Sequence, residues 1–284
     1  MHVVRDELRG GSGVRLAVRT AGPLDAPPIV LVHGWAQSGA VFSAQLGSSL
    51  AERFRLVAVD LRGHGESEVP DAGYDDPVRW AEDVRAVLDY VGRPAVLLGW
   101  SYGGLVITDY LRVFGQGGVA GLVYVGAITE LGRGRRGGRT GQAMRDALPA
   151  VLSEDAEVAA EAMRGFVTGM SASKLASRPN VLGTALLEDA LRVPARVRGA
   201  LFRRDVTSAD VLAAVTVPTL VVHGDADAVV DIDAGRFTAE TVPGARLRVF
   251  EGVGHLPFLE RQAEFDELLG AFADECQQVT GGAR

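Results

Sequence analysis

The stretch AVLLGWSYGGLVITDYL, residues 95–111, sets one serine between two different patterns. Residues 95–98 are apolar without interruption, as in a strand buried on both faces. From Leu105 to Phe114 apolar residues return at helical spacing. Between them stands Gly99-Trp100-Ser101-Tyr102-Gly103. A strand that turns straight into a helix must bend sharply at Ser101. Glycines two residues before and after it admit a close approach that a Cβ would crowd. Ser101 is therefore expected on a strained strand–turn–helix bend.

Similar apolar runs flank this one. They are PPIVLVHG (27–34), RLVAVDLRG (55–63), GLVYVGA (121–127) and PTLVVHGD (218–225). ARLRVFEG (245–252) alternates instead, which suits a sheet edge. Residues 3–8 and 14–19 around RGGSG read as an opening hairpin. Helical patterns fall at 41–53, 75–92, 105–114 and 258–276. The second has an Asp cap, Pro77 in its first turn and Gly92 as its stop. Strand and helix alternate, so the chain reads as α/β with a mostly parallel sheet covered on both faces.

One interval breaks the alternation. Residues 128–210 hold no strand pattern, open with the loop-like GRGRRGGRT, and continue with helical spacing as in SEDAEVAAEAMRGFVTGM. A core of 1–127 and 211–284 with a helical insertion at 128–210 is expected. The insertion carries 13 basic and 10 acidic residues, leaving −10 on the remainder of a chain whose net charge is −7. It reads as a solvated helical surface, or as a cap biased toward anionic or polar ligands.

Composition excludes several classes. The negative net charge and the lack of a Lys/Arg stripe with interleaved aromatics speak against nucleic-acid binding. A single cysteine, Cys276, rules out an internal disulfide framework and fits a reducing compartment. MHVVRDELRG lacks the apolar core of a signal peptide, and no apolar run reaches the roughly 20 residues of a membrane helix. A soluble, cytoplasmic protein acting on a small molecule, without membrane or nucleic-acid partner, is expected. Oligomeric state is not legible.

Ligand sites in such sheets lie at the carboxyl ends of the strands. There the chain places HGWAQSG, DLRGHGES, GWSYGG, HGDADAVVD and EGVGHLPF. A serine hydroxyl becomes a nucleophile when a base takes its proton and an acid orients that base. Among the five histidines only His255 follows every candidate acid, giving the order Ser…Asp…His. His223, flanked by a β-branched run and Gly224, reads as structural. The acid comes from 225–233, which holds Asp225, Asp227, Asp231 and Asp233; Asp227 is preferred, with Asp225 the reserve. These aspartates do not form a calcium loop, because Val229 and Val230 stand where that loop needs a ligand and a glycine. Backbone N–H groups of Tyr102 and Trp35 are the expected donors to a developing oxyanion. The side chains of Trp35, Trp100 and Tyr102 are candidate pocket walls. No metal or cofactor is called for.

With HGW, DLRGHGES, GWSYGG, GDAD and GVGHLPFLE in this order, the chain resembles the α/β-hydrolase fold superfamily over about 14–127 and 211–276. The resemblance implies an eight-stranded core, a helical cap (lid) inserted after the 121–127 strand, and a site between them. It also places the acid three residues after Gly224. Ser101 argues against epoxide hydrolases and haloalkane dehalogenases, whose nucleophile is aspartate. The chain is similar to small serine esterases and to cofactor-free haloperoxidases, which are perhydrolases. Leu105 after Gly104 departs from the S-x-G-G-G of the latter.

The leading expectation is a serine hydrolase of a carboxylic ester, lactone or thioester, working through an acyl-enzyme. A perhydrolase or carbon–carbon bond hydrolase on the same triad is the alternative. A non-catalytic ligand receptor on this fold is a reading from another class. A nicotinamide dehydrogenase is rejected, since GHGESE (63–68) puts Glu68 where the third glycine should be.

Overall fold

The computed structural model describes residues 2–172 and 181–281; residues 173–180, part of the expected helical insertion, lie outside them. Eight strands form one sheet: β1 (Val4–Arg9), β2 (Arg15–Ala21), β3 (Pro28–Val32), β4 (Arg55–Val59), β5 (Ala95–Trp100), β6 (Val119–Val125), β7 (Thr219–Gly224) and β8 (Arg246–Phe250). Their spatial order is β1-β2-β4-β3-β5-β6-β7-β8. β1–β2 and β2–β4 pair antiparallel and all later pairs are parallel. This is the α/β-hydrolase fold.

The hydrophobic pattern explains the order. β3, β4, β5, β6 and β7 are buried at every position and occupy the middle of the sheet, whereas β8 at the edge is exposed along most of its length. The chain leaves β3 for β4 on one side and then returns to β5 on the other. Strand order therefore reverses at β3, where α/β sheets open a crevice at the carboxyl ends. The loop after β3 and the turn after β5 meet at that crevice.

Helix Pro77–Val91 starts as read: the Asp76 side chain accepts from the Val78 N–H, Pro77 opens the first turn and Gly92 closes it at φ +70°. Two helical expectations need correction. Residues 41–53 are not one helix but belong to short helical pieces, the 3₁₀ turn Gly39–Phe42 and the one-turn α-helices Ser43–Leu46 and Leu50–Arg53. Gly47 and Ser48 interrupt them; the Ser48 hydroxyl donates to Gln45 O and accepts from Leu50 N–H, competing with the helical backbone. At the other end, the chain breaks at Arg261 between Pro257–Glu260 and the helix Gln262–Gly281.

Between β6 and β7 the described residues form helices Gln142–Val151, Ala156–Gly169, Val181–Arg192 and Ala195–Leu201. Their strand-like features are isolated bridges, Leu131 to Val206 and Thr140 to Val230. Among the described residues no helix is long and apolar enough to cross a membrane.

Candidate active site

Ser101 follows directly on β5 and precedes the helix Tyr102–Phe114, three residues earlier than the helical pattern alone indicates. Its backbone sits at φ +56°, ψ −122°, a region that L side chains rarely adopt and that costs on the order of 1–3 kcal/mol. The flanking glycines make the bend possible. A Cβ on Gly99 would lie 2.5 Å from Gly103 O, and one on Gly103 would lie 2.3 Å from Val32 O. The bend is held by Ser101 N–H donating to Val125 O on β6 (3.0 Å), and by Ser101 O accepting from Gly104 N–H and Ile128 N–H.

His255 and Asp227 meet from the loops after β8 and β7. His255 Nδ1–H donates to Asp227 Oδ2 at 2.7 Å. Asp227 Oδ1 accepts from the N–H groups of Val229 (2.8 Å) and Val230 (3.0 Å). Burial alone would raise this carboxyl, but the charges and hydrogen bonds of His255 and His223 outweigh it and hold it well below the usual carboxylate range. Asp225, the reserve acid, is exposed and accepts instead from Gly252 N–H at 2.7 Å.

Neighbours tie this pair to the bend. Trp100 donates its indole N–H to His255 O (2.9 Å), and its ring lies 5.2 Å from the imidazole. Gly126, in the left-handed region at φ +47°, backs onto the pair: a Cβ there would lie 3.1 Å from both Asp227 Oδ2 and His255 Nδ1. Gly34 backs onto the serine in the same way, with a Cβ site 2.7 Å from Ser101 Cβ.

Trp35 and Tyr102 are 4% and 1% exposed, and among the described residues neither backbone N–H has an acceptor. The Tyr102 N–H is one of the open donors at a helix start, and the Trp35 N–H is an open donor in the loop after β3. Their side chains reach the inserted helices. Trp35 Nε1–H donates to Arg198 O (3.1 Å), and its ring meets Phe166 and Phe202 edge-on. Tyr102 Oη donates to Leu201 O (3.2 Å). His255 N–H donates to Met170 O at 2.7 Å, so the insertion also touches the histidine loop.

Several residues here escaped the sequence reading. Arg204 donates to Asp109 Oδ2 (2.6 Å) and to Tyr102 Oη (3.1 Å), with both charged side chains fully buried. His223 is buried as expected, yet it does more than fill space: Nε2–H donates to Val230 O at 3.0 Å and lies 3.4 Å from Asp227 Oδ2. DLRGHGES proves to be scaffold. Asp60 accepts from Arg19, Gly39 N–H and Glu66 N–H, and Arg62 pairs with buried Asp83. The basic loop is largely neutralised, with Arg135 on Asp205, Arg136 on Glu240, and Arg139 on Asp231 and Asp233. That favours a solvated surface over an anion-collecting one.

The sequence profile of the alpha/beta hydrolase family matches residues 29–268. A non-heme chloroperoxidase of Kitasatospora aureofaciens is 32% identical over 235 residues, 80% of this chain and 84% of its own. A bifunctional esterase/perhydrolase of Acinetobacter calcoaceticus is 30% identical over 273 residues, covering 90% and 95%. Among solved structures, an esterase of Rhodococcus sp. ECU1013 superposes with a TM-score of 0.91 at 42% identity, over 96% of this chain and 99% of that one. The chain belongs to the alpha/beta hydrolase family, on its esterase and haloperoxidase-like branch.

Proposed function

We propose that this protein is a serine hydrolase of small-molecule carboxylic esters, including lactones and thioesters, acting through an acyl-enzyme on Ser101. The carrying observation is the left-handed backbone of Ser101 at the end of β5, together with the buried His255–Asp227 pair that its neighbour Trp100 ties to the bend. Ser101 Oγ attacks the ester carbonyl carbon while His255 Nε2 takes the hydroxyl proton. The Tyr102 and Trp35 N–H groups donate to the oxyanion of the tetrahedral intermediate. Collapse breaks the bond to the leaving oxygen, or to sulfur in a thioester, and that atom receives the proton from His255. Water then attacks the acyl-enzyme, His255 takes its proton, and the acid departs as the Ser101 hydroxyl is restored. Asp227 holds the Nδ1–H tautomer throughout.

The inserted helices serve in this reading as a cap over Ser101. Its support is the set of contacts made by Met170, Arg198 and Leu201 to His255, Trp35 and Tyr102. Trp35, Phe166 and Phe202 would give the pocket an aromatic wall.

Turnover of p-nitrophenyl esters tests the proposal. Wild type should hydrolyse them and an organophosphonate should label Ser101; Ser101→Ala should do neither. Label on another residue, or full activity in that variant, would sink it.

A second reading has its own support, the 30% identical esterase/perhydrolase. Hydrogen peroxide in place of water on the same acyl-enzyme would release a peracid. Peracid formation from acetate and peroxide, lost in Ser101→Ala, tests it. No peracid leaves the esterase alone.

A further inference from the structure

We propose that His33 is a positioning residue for the oxyanion hole, holding the Gly34–Trp35 peptide so that the Trp35 N–H faces the reacting carbonyl. This rests on the ester-hydrolase reading and deepens it.

His33 ends the β3 run and has no exposed surface. Leu61 N–H donates to its Nε2 at 3.0 Å, so that nitrogen carries a lone pair and the ring proton sits on Nδ1. Burial, aided by neighbouring His64, lowers its pKa well below the ordinary value, which keeps the ring neutral with that one proton. Nδ1–H donates to Gly34 O at 2.8 Å.

The next step is covalent geometry. Gly34 C=O and Trp35 N–H belong to one planar peptide unit, and among the described residues no peptide bond is cis. In a trans unit the two groups point in opposite directions, so fixing the carbonyl fixes the N–H. Glycine tolerates many backbone angles, so the unit would otherwise be free to rotate. The following residue, Ala36, is itself left-handed at φ +53°. The unit borders the nucleophile, since a Cβ on Gly34 would lie 3.2 Å from Ser101 Oγ. Among the described residues the Trp35 N–H has no acceptor, as a donor reserved for substrate requires.

Three proteins decide it: wild type, His33→Leu, and His33→Gln, which keeps a donor and an acceptor. Each is assayed for kcat and KM on a p-nitrophenyl ester and for inhibition by an aryl trifluoromethyl ketone, whose adduct carries the oxyanion. His33→Leu should lose about 10²-fold in kcat, the lower end of what one missing donor costs, with KM little changed. The ketone should weaken by a similar factor, because it is held as the transition state is. His33→Gln should recover part of both. A folded Leu variant with unchanged kcat, or with a loss in KM alone, would overturn the inference. If the Leu variant does not fold, the ring tautomer of wild-type His33 by ¹⁵N NMR decides, and a proton on Nε2 overturns it. Wild type that turns over no ester sinks the hydrolase reading and this inference together. Active wild type with unaffected variants sinks this inference alone.

Discussion

His255 Nδ1–H donates to Asp227 Oδ2 across 2.7 Å, and neither side chain is more than 1% exposed. A buried carboxylate that accepts an imidazole N–H fixes the tautomer, leaving the other nitrogen free for a serine proton. Asp225, two residues earlier, is committed to Gly252 N–H instead. Asp227→Asn should therefore keep the fold and lose on the order of 10⁴ in kcat, the guide from serine proteases. Asp225→Asn should lose less than about tenfold, since the Asn Oδ1 still accepts from Gly252 N–H and only an exposed charge is removed. Assay of both variants on the same ester settles the order; greater damage from Asp225→Asn would reverse the assignment.

Ser101 should be held in its conformation at a cost to stability. Its φ +56°, ψ −122° favours glycine, with strain of about 1–3 kcal/mol for other residues. Glycine's extra freedom in the unfolded chain returns about 0.5–1 kcal/mol of that. Ser101→Gly should be inactive yet more stable than Ser101→Ala, by about 1 kcal/mol in denaturant unfolding. The reverse order would show that the bend is relaxed.

Arg204 and Asp109 are fully buried and 2.6 Å apart. Burial pushes the Asp109 carboxyl up to about 6, with Arg204 opposing the rise. Removing one partner strands the other charge, which typically costs about 3–5 kcal/mol. Arg204→Met should be destabilised by that order, and Arg204→Met with Asp109→Leu should recover most of it. Equal midpoints for the single and double variants in urea would refute the coupling.

The strands were legible because each of PPIVLVHG, PAVLLGW and PTLVVHGD is a short apolar run with a glycine near its end, a local signal. Helix Pro77–Val91 carried its own start and stop. Ser101 could be read because the bend needs glycine at fixed spacing. What the pattern could not carry was pairing across the chain. Nothing local tells that Asp109 waits for Arg204, 95 residues on, or that Met170 O receives His255 N–H. The fragmentation of 41–53 was missed because Ser48 settles its bonds locally, against a helix-compatible apolar spacing. His223 looked like core and is core, but the turn at 225–230 folds Asp227 back onto it.

Acid sensitivity should trace in part to His64. Its Nδ1–H donates to Arg62 O at 2.9 Å, and among the described residues its buried Nε2 has no partner. Burial lowers its pKa to about 4, from about 6.5 in the unfolded chain. Between those values the unfolded state takes a proton that the native state refuses. The stability this group supplies is complete above about pH 6.5 and is lost as pH falls toward about 4, a change on the order of 3 kcal/mol. His33 is shifted in the same direction. Asp60, Asp83 and Asp109 are raised, burial being the first cause, and they act in the opposite sense, gaining stability on acidification. The raw profile of wild type therefore mixes both, and a difference is needed. His64→Leu removes the titration and one hydrogen bond, and the lost bond contributes a constant offset of about 1 kcal/mol. Urea unfolding of wild type and variant from pH 7 to pH 4 should show the variant gaining steadily on wild type as pH falls. Parallel curves across that range would mean that His64 is protonated as readily in the folded protein as in the unfolded chain.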